Sequence, residues 1–325
     1  MVLILVAGSL NYDITLYVDR FAPPKSVVKK IKRFLGGSGG NAAVAAARIL
    51  GRGKVFLLSA VGNDEIGRAH VRALRDEGVI TTLVKVIDDA ESGQAFVIIN
   101  KSGESAIYSY YGANACLTPE EVRDDVASVL EKVSYVLIMN PPLPIASMLV
   151  KLAQEKGRVI LWDPGALSNL GLSKLADIIK ATNYLLPNRE ELLILTGSKN
   201  ETEAVGKLLK MNPELKLVIK EGAWGVKYVD LKNRVIYLIG GVPLRELGLE
   251  LASTVGCGDT LVGAFTALKS MGYSDIEALK LSNCAAAINA SKEEPRGSPR
   301  FNELIKLFKN KCSRLISTRI AELDI

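Results

Sequence analysis

Short runs of branched apolar residues alternate along this chain with stretches whose apolar positions recur every three or four residues. VLILVA (2–7), KVFLLSAV (54–61), YVLIM (135–139), RVILWD (158–163), NYLLPN (183–188) and LKLVIK (215–220) carry the first pattern and predict buried strands. NAAVAAARIL, DEIGRAHVRALRDEG, PEEVRDDVASVLEKV, PIASMLVKLAQEKG and REELLILTG carry the second and predict helices. Strand and helix in alternation predict a doubly wound α/β fold, a mostly parallel sheet flanked by helices on both faces. From about Asp259 the chain reads as nearly all helix, with KEEPRGSP (292–299) as its main break. Two stretches leave this rhythm. DITLYVDRFAPPKSVVKKIKRF (13–34) and GQAFVIINKSGESAIYSYYG (93–112) each read as strand, turn, strand, with Lys101 to Glu104 as the second turn. They predict a small antiparallel β lid, approximately residues 12–35 and 91–112, inserted in one domain spanning residues 1–325. An exposed edge of that lid could pair with a second copy and make a homodimer.

Composition narrows the classes. The chain has 325 residues, 48% hydrophobic and 23% charged, which is the make-up of a folded globular protein and not of a disordered one. Its 41 basic and 35 acidic residues give +6, with the signs interspersed as in EEVRDDV, so the balance argues against nucleic acid as a partner. Cys116, Cys257, Cys284 and Cys312 lie far apart without a C-x-x-C pair, which argues against a zinc site and a secreted disulfide framework. MVLILVAGSL has a six-residue apolar run without a basic leader and reads as a buried strand. No apolar stretch is long enough for a membrane span, and the cytoplasm is the expected compartment.

In a parallel sheet, ligands bind beyond the carboxyl ends of the strands, and five clusters fall there or beside the lid. Asn11 and Asp13, after the first strand, suit a vicinal diol or an ordinary turn. Leu35-Gly36-Gly37-Ser38-Gly39-Gly40-Asn41 opens a helix, where bare backbone and Asn41 can approach a polyhydroxylated ligand or simply cap and pack the helix. It is neither a Walker loop nor a dinucleotide fingerprint. Asn188 and Glu191, about one helical turn apart, suit either water around Mg²⁺ or a capped helix start. Lys220, Gly222 and Gly225 form a turn that could admit a nucleotide or be a plain hairpin. In STVGCGDTLVGAF, Gly256, Cys257 and Gly258 aim backbone N–H groups in front of a helix start, an anion hole for a phosphoryl group. Asp259 beside them is either a cap or a general base for an attacking hydroxyl.

Taken in order, these motifs resemble the ribokinase-like, or phosphofructokinase-B, carbohydrate kinase family. GGSGGNAAVAAARIL and STVGCGDTLVGAF match its two signatures, and AVGNDEIG, YYGANACLTPEEV, PNREELLILTG and AAAINA match between and after them. The resemblance implies an ATP- and Mg²⁺-dependent kinase acting on a hydroxymethyl group of a small sugar, under a closing β lid. It implies that Asn11, Asp13, Gly37 and Asn41 contact substrate hydroxyls, with Asp259 as base and Gly256, Cys257 and Gly258 as anion hole. Asn188, Lys220, Gly222, Gly225 and Asn283 would serve the nucleotide, and Glu191 would serve Mg²⁺ through water.

The chain also departs from that family. Ser253 stands where an Asp commonly helps hold a monovalent cation, and Glu293-Glu294-Pro295 replaces the frequent K-G-A loop, which argues against potassium activation. Asn140 stands for a ribokinase-type Glu and Ser38 for the Lys of G-G-K-G, which weakens a specific claim of ribose. A nucleoside kinase on the same scaffold is the alternative, with Tyr108, Tyr110, Tyr111 and Phe96 as a base platform in place of a lid face. A non-catalytic sugar or nucleotide sensor is a second alternative, although a pure binder needs no base. His70 reads as an ordinary helix residue. Cys257 either has a lowered pKa at its helix start or fills a small-residue slot.

Overall fold

The computed structural model describes residues 3–21, 27–101 and 105–323. In chain order the strands of its core begin with β1 (Ile4–Gly8), and the chain then crosses into β2 (Asn11–Val18) and β3 (Val28–Gly36) of a second sheet. It returns in β4 (Val55–Gly62) and β5 (Val84–Ile87), and leaves again in β6 (Gly93–Ile99) and β7 (Ser105–Tyr110). β8 (Tyr135–Met139), β9 (Val159–Asp163), β10 (Tyr184–Leu185) and β11 (Lys216–Lys220) continue the core. β12 (Gly225–Asp230), β13 (Val235–Gly240) and β14 (Thr318–Glu322) complete it.

The large sheet has ten strands in the order β14-β13-β12-β11-β10-β9-β8-β1-β4-β5. It is parallel from β5 to β11 and antiparallel beyond. Its inner strands are apolar on both sides because each face is covered: β1, ILVAG, is buried throughout. One face packs against the helices Ser38–Leu50, Cys257–Ser270 and Asp275–Ala290, the other against Pro119–Leu130, Leu143–Glu155, Gly171–Ala181 and Glu201–Met211. The alternation read from the sequence is therefore the observed architecture. Among the described residues no helix is long and apolar enough to cross a membrane.

Three features differ from expectation. The small sheet, ordered β3-β2-β6-β7, is antiparallel within each strand pair but parallel between β2 and β6. Both inner strands leave from the carboxyl ends of parallel strands of the large sheet, β2 after β1 and β6 after β5, so they set out in one direction. The tail is not helical to its end: β14 adds an edge strand, pairing Val235 with Glu322 through Ile239 with Thr318. Cys284 and Cys312, 28 residues apart, form a disulfide between two helical segments. Their distance in sequence hides an approach that only tertiary packing creates. The turn expected at Lys101 to Glu104 falls largely outside the described residues, while β6 and β7 on either side pair as a hairpin would.

Candidate active site

Two close helix contacts assemble the site. A Cβ at Gly263 would lie 2.4 Å from Ala42 O, so the helices Cys257–Ser270 and Ser38–Leu50 touch backbone to backbone. A Cβ at Gly39 would lie 2.4 Å from the Gly8 carbonyl carbon, so the second helix also starts against the end of β1. These contacts bring Asn41 and Asp259 together across 218 residues, with Asn41 Nδ2 donating to Asp259 Oδ2 at 2.8 Å. Burial pushes the Asp259 pKa up and nearby Asp163 adds to it, while Asn41, Lys220 and Ser38 oppose the shift.

The loop before Asp259 is held from beneath. Gly256 has φ 77°, and a side chain there would strike Pro295 O. Asn289 donates to Val255 O at 3.2 Å and accepts from Thr260 Oγ1 at 3.1 Å. The Cys257 N–H turns back to Thr254 O at 3.3 Å, so of the three loop amides that one is engaged internally. Gly258 and Asp259 lie in the first helical turn, where amides have no partner within the helix. A Cβ at Gly258 would meet no atom closer than Lys220 Cδ, at 4.0 Å, an ordinary contact, so the loop stands beside the lysine without being crowded by it. The Cys257 thiol is pushed up, not down: burial and the Asp259 charge outweigh the Asn289 contact.

Lys220 ends β11 and is ion-paired with Asp163 at the end of β9, with Glu191 Oε2 3.9 Å away. Burial disfavours its charge, yet Asp163, Glu191 and Asp259 together hold its pKa above the ordinary value. Asn188 and Glu191 form a capping box, Asn188 Oδ1 accepting from Glu191 N at 2.8 Å and Glu191 Oε2 from Asn188 N at 2.7 Å. Glu191 is nonetheless raised, by burial and by Asp163 and Asp259, with Lys220 opposing. One ammonium thus faces three carboxylates. Among the described residues no three acidic, histidine or cysteine side chains close into a metal cage. The oxygen donors present fit a hydrated Mg²⁺ held through water and phosphate better than a fully protein-bound ion.

On the lid side, Asp13 is buried against Gly36, where a Cβ would fall 1.9 Å from its Oδ2. Burial and Asp259 push its pKa up to about 7 against the pull of Arg296. Gly37, at φ 88°, brings its Cα so close that a Cβ would lie 2.5 Å from Asn11 N. Asn41 Oδ1 is buried and has no partner among the described residues. Asn11 Oδ1 accepts from Asn114 Nδ2 at 3.1 Å. Asn114 also exchanges hydrogen bonds with the Leu10 backbone, both at 2.9 Å. Asn11, Asp13, Gly37, Asn41 and Asp259 therefore belong to one region.

Gly222 and Gly225 have φ 59° and 103°, and Asn283 donates to Gly240 O at 3.3 Å. They sit farther along the β11–β13 edge, beside exposed Trp224. Asp163, Asn114 and Arg296 escaped the reading from sequence. Asp163 had a signal, since it ends a predicted strand where ligand residues gather. Asn114 lies inside GANA, a motif that matched the family as a string without a role for its asparagine. His70 lies in a helix, buried beside Arg296, and burial with that charge pushes its pKa down to about 3. A cavity of about 260 Å³ opens behind Gly8 and Ser9, lined by Leu58, Ser59, Tyr111 and Asn140 among others.

The pfkB family carbohydrate kinase profile matches residues 1–300. The chain belongs to the pfkB family of carbohydrate kinases. It is a phosphotransferase with an alcohol acceptor, of a family whose acceptors are sugars or nucleosides. It is 32% identical over 308 residues to a ribokinase of Bacillus subtilis, covering 94% of this chain and 98% of that one. The Arabidopsis thaliana ribokinase solved with ribose and ATP superposes with a TM-score of 0.84 at 24% identity, covering 95% and 99% of the two chains. A nucleoside kinase of Methanocaldococcus jannaschii superposes at 0.78 with 17% identity, covering 95% and 99%. This pfkB kinase accordingly has the ribokinase fold.

Proposed function

We propose that this pfkB kinase transfers the γ-phosphoryl group of ATP to a hydroxymethyl group of a small carbohydrate, ribose-like or fructose-like. The observation that carries the reading is the 2.8 Å bond from Asn41 to Asp259, which joins the acceptor loop to the phosphate loop. Asn11, Asp13, Gly37 and Asn41 would hold the sugar hydroxyls, the unpartnered Asn41 Oδ1 accepting one of them. Asp259 would then take the proton of the attacking hydroxyl as its oxygen bonds to phosphorus and the bond to ADP breaks. A raised Asp259 pKa suits that duty, because a stronger base accepts the proton more readily. Gly256, Cys257 and Gly258 would form the anion hole, the Cys257 amide having to leave Thr254 O to join it. Mg²⁺, when bound, neutralises phosphate charge, and Glu191 with Asp163 would hold its waters. Lys220, Asn188, Gly222 and Gly225 would border the phosphates and Asn283 the base of the nucleotide. The small sheet would act as a lid excluding water, and its exposed face, including Ile31 and Tyr108, suits closure on a second copy as a homodimer. The whole chain would work as one kinase domain in the cytoplasm.

The ribokinase relatives, one of them solved with ribose and ATP, support sugar and donor alike. The second reading is a nucleoside acceptor, favoured by the largely apolar cavity beyond Asn140, which has room for a planar substituent on the sugar. Purified protein should be incubated with MgATP or MgADP and panels of sugars and nucleosides, following phosphate transfer. Turnover of an aldose or ketose with ATP is expected. Transfer only to nucleosides moves the assignment to the second reading, and transfer only from ADP removes the donor.

A further inference from the structure

Arg296 lies in the break between the last long helices, yet its side chain runs inward beneath the acceptor loop. Its Nη2 donates to Gly36 O, 260 residues away, at 3.1 Å and stands 3.1 Å from His70 Nδ1. A Cβ on Gly40 would fall 2.4 Å from the same nitrogen, so the guanidinium fills the space that a side chain at 40 would need. Gly36, whose carbonyl it holds, is the residue against which Asp13 packs. The backbone carrying Arg296 is clamped in turn. Arg48 Nη1 donates to Arg296 O at 2.8 Å and to Ser298 O at 2.5 Å, and Arg48 forks onto Glu77 at 2.6 and 3.0 Å. Arg296 Nε and Nη1 are shut away from solvent and have no partner among the described residues. A buried cation with idle donors weakens a fold unless its charge serves something nearby.

We propose that Arg296 is a positioning residue of the acceptor site, fixing the Gly36–Gly40 loop by its carbonyl and giving Asp13 the positive charge it faces. The inference rests on reading Asn11, Asp13, Gly37 and Asn41 as the acceptor site. The charged groups acting on Asp13 are few. Burial and Asp259, from the helix Cys257–Ser270, raise its pKa, and Arg296 alone opposes them. His70, on the helix Glu65–Asp76, stays neutral beside Arg296, and Lys220 is engaged by Asp163. A protonated Asp13 would lose acceptor capacity toward a diol, so the loop arginine controls whether the sugar is gripped.

The test begins without substrate. Protein labelled with ¹³C at aspartate Cγ, with Asp13→Asn assigning the signal, gives the Asp13 titration directly. In Arg296→Gln its midpoint should rise by about one pH unit or more, and in Arg296→Lys it should stay near wild type. With D-ribose and MgATP, Arg296→Gln should move the acid limb of kcat/KM upward alongside that midpoint. KM for ribose should rise about tenfold while KM for ATP holds. Arg296→Lys should keep the acid limb yet raise KM for ribose, because one ammonium cannot replace the fork on Gly36 O. An Asp13 midpoint unmoved in Arg296→Gln overturns the proposal. If that variant fails to fold, an unchanged ribose KM in Arg296→Lys overturns it instead. Wild-type protein that phosphorylates no acceptor would refute the functional reading, while the titration would still decide the role of the charge.

Discussion

Strand β11 carries a lysine at each end, and the two keep opposite company. At the amino end, Lys216 and Lys269 pair with the two oxygens of Asp275 at 2.8 and 2.7 Å, and Tyr184 and Tyr228 donate to it at 2.8 and 2.7 Å. Burial alone would raise that carboxyl, but these four donors hold it well below the usual carboxylate range. At the carboxyl end, Lys220 faces Asp163, Glu191 and Asp259, and burial pushes the last two upward. The carboxylate at the lower end is fully matched by positive charge and hydrogen-bond donors. The upper end is short of positive charge, a condition that a hydrated divalent cation relieves. One strand thus separates a charge cluster that stabilises from one suited to binding, and perturbed groups without full compensation mark the working end.

The contrast breaks most visibly at Asp259. Asp259→Asn keeps the shape and the contact with Asn41 but removes the proposed base, so kcat should fall by about 10²–10⁴-fold. Nucleotide binding, followed by calorimetry, should persist. Turnover near the wild-type rate would remove the general base from the mechanism and leave the upper carboxylates with a purely electrostatic role.

The same substitution at the other end should do the reverse. Asp275→Asn strands two lysines in a partly buried site and should destabilise the protein by about 3–5 kcal/mol, with kcat/KM little changed in whatever remains folded. The pH dependence has a definite sign. A carboxyl with a depressed folded pKa contributes stability above its unfolded pKa near 3.8 and loses it as pH falls toward the folded value. Urea midpoints of wild type should therefore drop steeply below about pH 4, and those of Asp275→Asn should drop less. Equal acid sensitivity of the two proteins would show that the network does not govern acid unfolding.

Local pattern carried much of this molecule. Strand and helix periods were legible because each is written within a dozen residues, and GGSGGN and GCGD stand at helix starts where composition alone marks a loop. What the chain does not disclose locally is pairing over distance. Asp163 meets Lys220 across 57 residues, Arg296 meets Gly36 across 260, and Lys216 meets Asp275 across 59. None of these pairs has a spacing signal, since each follows from strand order and helix docking. The parallel β2–β6 pair and β14 were hidden for the same reason: a strand's neighbour is chosen by topology, not by its own alternation. Asn188 and Glu191 show the converse, because their spacing foretold proximity and the capping box accounts for it without a ligand.

The smallest effect gives the finest test of the two ends. Asp13 has a folded pKa of about 7 against 3.8 unfolded, so between those values the native state holds a proton that the unfolded chain has released. Stability must then fall as pH rises through that interval and stay lowered above it, the opposite of the slope expected from Asp275. Asn at position 13 has nothing to ionise. Asp13→Asn should therefore gain about 1–3 kcal/mol over wild type at pH 8, less than the full shift because side chains and water relax around a buried charge, and should gain little at pH 4. Sugar binding should suffer as stability improves, since Asn offers one acceptor where the carboxylate offers two. Urea midpoints at the two pH values decide the matter. If Asp13→Asn is destabilised at both, as Asp275→Asn is expected to be, Asp13 is a scaffold carboxylate like Asp275 and its coupling to Asp259 does not extend the contrast to the lid.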